Sequence, residues 1–184
     1  IMTGNRSVTG NAGATFDIVG IYGNNPVEFT KTVTNPGSGT LTFGSNVLVA
    51  IRDGRMDFGV GNPVTINGTL QVKLGGSVFP NPCYYGINSL LRFANTVDYG
   101  VPATDLTWAA GSITSGLPGV PWNVEINDAG TDLQLFDTRS LRGSISITNG
   151  TFTLMPAYTG SFSLGGNWTR TGPSSAFVHN NKKV

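Results

Sequence analysis

The side chains that could do chemistry are few and far apart. His179 is the only imidazole and lies in the polar tail. A nucleophile, base and orienting acid cannot be assembled around it. Cys83 is the only cysteine, with no base or cation near it in sequence, and is expected to be a small buried apolar residue rather than a reactive thiol. One cysteine and one histidine build neither a zinc site nor an internal disulfide. The remaining candidates are carboxylates, in the groups Asp53/Asp57, Asp98/Asp105 and Asp128/Asp132/Asp137. Glycoside hydrolysis needs two carboxyls across a cleft, but Asp53 and Asp57 flank Arg55 and follow Arg52, as in a solvated corner. Asp128 and Asp132 bracket a glycine-containing turn and could offer oxygens to Ca²⁺; the spacing matches no full calcium loop, and turn capping is the simpler role. No phosphate-binding glycine loop or zinc-protease motif occurs. The expectation is a protein without catalytic residues, cofactor or resident metal, Ca²⁺ being the one cation to consider.

Two non-catalytic patterns remain. Tyr84, Tyr85, Trp108 and Trp122 gather in one stretch and could stack on sugar rings, because a flat apolar face with a polar tip suits carbohydrate. The competing role is cover for a core beneath a proline-rich loop. Thr30-Lys31-Thr32-Val33-Thr34, Thr40-Leu41-Thr42 and Thr151-Phe152-Thr153 place hydroxyls on one strand face, which suggests an ice-binding array. Threonine is also an ordinary outward-facing strand residue.

The elements that must carry these residues are strands. Gly, Thr, Asn and Ser make up 79 of the 184 residues, and glutamate occurs only as Glu28 and Glu125, a composition of turns and strands. Apolar and polar residues alternate in short segments such as Val47–Ile51, Val64–Ile66, Thr69–Leu74, Val124–Ile126, Ile145–Ile147 and Phe152–Leu154. Asp53-Gly54, Asn67-Gly68 and Asn149-Gly150 punctuate them, and Asn127–Asp132 is a longer version of the same corner. Asn-Gly serves either a tight hairpin in an antiparallel β-sandwich or the corner of a β-solenoid. Short strands and corners of variable length favour the solenoid. Residues 75–121 depart from the pattern, with aromatics set among Pro80, Pro82, Pro102, Pro118 and Pro121. They are expected to form an elaborated coil or loop insertion within a single unit spanning 1–184.

Charge narrows the partners. Only 11% of residues are charged and the formal net charge is +1, so there is no field to steer nucleic acid. No run approaches the roughly 18 apolar residues of a membrane-spanning helix, and no membrane insertion is expected. Ile1-Met2-Thr3-Gly4 and the uncapped end suggest a piece of a longer polypeptide.

Several segments, taken in order, resemble a known repeat module. They are Tyr85–Phe93, Asp98-Tyr99-Gly100, Thr107-Trp108, Gly119–Ile126, Ile145–Phe152 with its Asn149-Gly150-Thr151, and Leu164-Gly165-Gly166-Asn167-Trp168-Thr169. The set is similar to the repeats of very large secreted or surface proteins of the Bacteroidetes. That resemblance implies a right-handed parallel β-helix, extracellular or at the cell surface, often exported by the type IX route. It also implies surface display, adhesion or filament formation, with neighbouring modules, copies of itself or surface glycans as partners. Thr107 stands where Glu commonly precedes the tryptophan, Arg170-Thr171 replaces the usual Asn-Asn, and no sorting domain is recognisable. At about 20–25 residues per coil and about 4.8 Å per stacked strand, the expectation is a rod of around eight coils and about 40 Å. The functional expectation is a non-enzymatic structural or adhesive module. A carbohydrate-binding or carbohydrate-active β-helix and an ice-binding solenoid are the alternatives.

Overall fold

Segments that alternate over three to six positions expose one row of side chains and bury the other, and such strands are stable only when stacked on further copies. The computed structural model describes residues 6–8, 14–19, 27–30, 41–52, 54–58, 64–102, 104–110 and 116–182. These residues hold eighteen strands and no helix. Every strand pairing among them is parallel, so the chain is a parallel β-helix and the antiparallel sandwich is excluded.

The winding has three faces. On the first, β1 (Arg6–Val8), β4 (Leu41–Phe43), β7 (Val64–Ile66) and β10 (Tyr84–Tyr85) form one sheet, while β14 (Arg139–Leu141) and β16 (Phe162–Leu164) form another. Backbone hydrogen bonds carry the face across the interval: Gly119 N–H donates to Cys83 O and Arg142 N–H to Pro121 O. On the second face β2 (Ala14–Val19), β5 (Val47–Arg52), β8 (Thr69–Lys73), β11 (Leu90–Ala94), β13 (Asn123–Leu135), β15 (Ile145–Leu154) and β17 (Trp168–Arg170) follow one another. Seven strands at about 4.8 Å span only about 30 Å, shorter than the expected 40 Å. The reason lies in the register. Leu48 pairs with Thr69, Thr69 with Leu90 and Val124 with Ile145, each 21 residues on, but Ala14 pairs with Val47 and Leu90 with Asn123, 33 residues on.

The third face holds β3 (Val27–Thr30), β6 (Gly54–Asp57) and β9 (Ser77–Val78), then β12 (Tyr99–Val101), the C-terminal parts of β13 and β15, and β18 (Ser175–Val178). It is parted in the middle. Among the described strands β9 pairs only with β6, and β12 only with β13.

Parallel stacking sets like on like. Val49, Leu70, Leu91, Val124 and Ile145 form one inward row, and Ile51, Val72, Phe93, Ile126 and Ile147 another, all 0–1% exposed. Each such burial contributes about 1.5–3 kcal/mol. The Asn-Gly pairs are corners, not hairpins. Asn67-Gly68 turns the chain from β7 to β8, and a Cβ on Gly68 would lie 2.1 Å from Val47 O. Asn149-Gly150 sits between the two halves of β15, whereas Asp53 lies outside the described residues. Of the stretch 75–121, β9 to β12 are regular strands, and the irregular path begins at Pro102.

Candidate functional site

Adjacent residues of a strand point to opposite sides, and this separates the four aromatics. Tyr84 faces outward and is exposed; Tyr85 is buried and its hydroxyl donates to Thr107 O at 2.9 Å. Trp108 is 0% exposed, its indole N–H donating to Ser140 O at 2.9 Å. Trp122 is half-buried at a corner, with the Arg142 guanidinium 4.4 Å from its ring centroid. The four share no surface. Tyr85 and Trp108 are core, and Trp122 has one ring face covered by a cation.

What the sequence did not reveal is a buried polar knot around Thr107. Its hydroxyl accepts from Val78 N–H at 2.8 Å and lies 3.0 Å from the Tyr99 hydroxyl. Asp105 closes the turn, accepting from Thr107 N–H at 2.6 Å and from Trp108 N–H at 3.3 Å. Burial pushes the Asp105 carboxyl above the usual carboxylate range, while those donors hold it down. Burial, with the Asp105 charge beside it, also pushes the Tyr99 hydroxyl up. The only sequence signal was the run Asp105-Leu106-Thr107, an Asx-turn pattern. Val78 belongs to the edge of β9 that lacks a strand partner, so Thr107 supplies the acceptor a neighbouring strand would have given.

The remaining candidates are tied into the frame. Cys83 is buried, which pushes its thiol up to about 12 against a hydrogen bond with Tyr85, as expected of an inert core thiol. Asp128 accepts from Gly130 N–H at 2.9 Å, the turn-capping geometry. Asp132 accepts from Thr153 Oγ1 at 2.7 Å and Gln134 Nε2 at 3.0 Å, so both its oxygens are engaged. Among the described residues no three His, Cys, Asp or Glu side chains converge to hold a metal ion. Asp98 accepts from Gln134 Nε2 at 3.1 Å and Asp137 from Thr138 N–H at 2.7 Å. Glu125 meets Arg92 of the preceding strand at 2.6 Å. Asp57 lies on β6; Asp53, Thr32, Thr34 and Thr40 lie outside the described residues. Thr42 and Thr65 are register neighbours, but their row begins with Ser7 and continues to Tyr84.

The last rung is chemically distinct. Phe162, Trp168 and Phe177 pack on one another and on buried Phe152 with ring centroids 4.6–5.9 Å apart, Trp168 and Phe177 being the closest pair. All three are only partly buried, whereas inward residues of inner rungs are sealed from both sides. Among the described strands β16, β17 and β18 each have one partner. No family model, curated protein or solved structure matches this chain.

Proposed function

We propose that this chain is a non-enzymatic structural module of an extracellular bacterial surface protein, related to the Bacteroidetes repeat proteins it resembles, and that it joins another β-rung at its last strands. The observation that carries the proposal is the aromatic layer of Phe162, Trp168 and Phe177 beside three strand edges with unsatisfied ladder positions. An uncovered parallel edge is a template for further pairing, and half-exposed rings gain about 25 cal/mol for each Å² a next rung would cover. The engaged carboxylates support a scaffold rather than a reaction. The partner rung belongs to an adjoining module or to a second copy.

Sedimentation of the purified 184-residue chain tests this directly. The expected outcome is concentration-dependent association, weakened at least tenfold by Trp168→Lys, which sets a charge in the layer without disturbing the inner rungs. A monomer at millimolar concentration, or association indifferent to Trp168→Lys, overturns the proposal.

A further inference from the structure

The parting of the third face leaves an open groove of about 640 Å³ between β9 and β12. Small-molecule pockets run from about 300 to 1,000 Å³, so the space suits one or two sugar rings. One side is apolar: Leu74, Phe79 and Val97 are 49%, 41% and 48% exposed, three of the eight large hydrophobics exposed among the described residues. The opposite chemistry is hydrogen-bonding, from Asp98, Tyr99 and Asp105. Asp98 meets Gln134 through Oδ2, leaving Oδ1 as an acceptor. A further lining residue, Asn95, is 1% exposed and its Oδ1 has no protein donor. Among the described residues no Lys, Arg or His lines the groove.

We propose that this groove binds a neutral saccharide. An apolar wall with an aromatic ring takes the C–H face of a pyranose, and carboxylate and amide oxygens accept its hydroxyl protons. Two carboxylates without a cation repel uronic and sulfated sugars. The site is separate from the four aromatics singled out by sequence and from the last rung, so it stands whether or not the chain self-associates.

The test is an amide-resolved NMR titration with methyl galactoside, N-acetylglucosamine and cellobiose to about 50 mM, a range suited to the millimolar affinity of an open groove. Glucuronate and tetramethylammonium serve as comparators. The expected result is saturable shifts confined to residues 74–79 and 95–105 with at least one neutral sugar, none with glucuronate, and at least tenfold weaker binding in Phe79→Ala. Val97→Asp, on the opposite rim, is expected to weaken binding likewise, so the groove is still tested where Phe79→Ala folds poorly. Overturning results are silence with all three neutral sugars, an equal response to glucuronate, a response to tetramethylammonium alone, or binding unchanged in a folded variant of either residue.

Discussion

Gly150 carries two constraints at once. Its φ is +94°, in the region that side chains disfavour, and a Cβ there would sit 2.4 Å from Asp128 O and 2.6 Å from Thr131 O. Gly150→Ala is therefore expected to cost more than the about 1 kcal/mol of an ordinary left-handed glycine, because the preceding corner must also move. Denaturant unfolding against an exposed control such as Gly116→Ala measures the difference. Titration is a second residue-scale property. The Cys83 thiol rises from 9.0 to about 12 through burial, and Tyr85 and Tyr99 are also raised. The folded chain keeps these protons where the unfolded chain releases them, so their contribution is full below pH 9 and is lost as pH climbs towards 12. Denaturation midpoints measured from pH 8 to 11 are expected to fall above pH 9, and Cys83 to resist a thiol reagent at pH 8 until the chain unfolds. A flat profile across that range would contradict the burial. The core placement of Cys83 was legible from its isolation in sequence. Alternation alone also parts Tyr84 from Tyr85, but nothing local shows that Trp108 turns inward, because that depends on Ser140 being 32 residues away.

At the scale of elements, the edge of β9 depends on a side chain from another loop. Thr107→Val keeps the volume but removes the acceptor of Val78 N–H and the partner of the Tyr99 hydroxyl. Leaving a buried donor unsatisfied costs about 1–3 kcal/mol, and the expected loss in unfolding free energy is of that size. Amide exchange at Val78 is expected to quicken with it; unchanged exchange would remove Thr107 from this role. Most strands could be read from alternation, since Val64–Ile66 and Thr69–Lys73 bury every second residue. The corners at Asn67-Gly68 and Asn149-Gly150 were equally plain as punctuation. Whether such a corner turns a hairpin or a coil was not, because both need the same tolerant backbone. The path after Pro102 was hidden for another reason: its order comes from contacts with Val78, Cys83 and Ser140, all distant in sequence.

For the whole molecule, the balance between strand-rich composition and low charge pointed to a polar rod, and the 21-residue register supplies its pitch. The rod's length was overestimated because two rungs take 33 residues. The groove had no sequence signature, since Phe79, Val97 and Asp105 meet only where two strands fail to pair. That parting also bears on mechanics. The ladder bonds of a β-helix lie along its axis, so tension between the ends opens them in peeling rather than in shear, one rung after another. A rung of 21 residues releases about 70 Å of chain at about 3.3–3.6 Å per residue. Where the third face is already open between β9 and β12, fewer bonds share the load, and the rod has a built-in fuse between Lys73 and Tyr99.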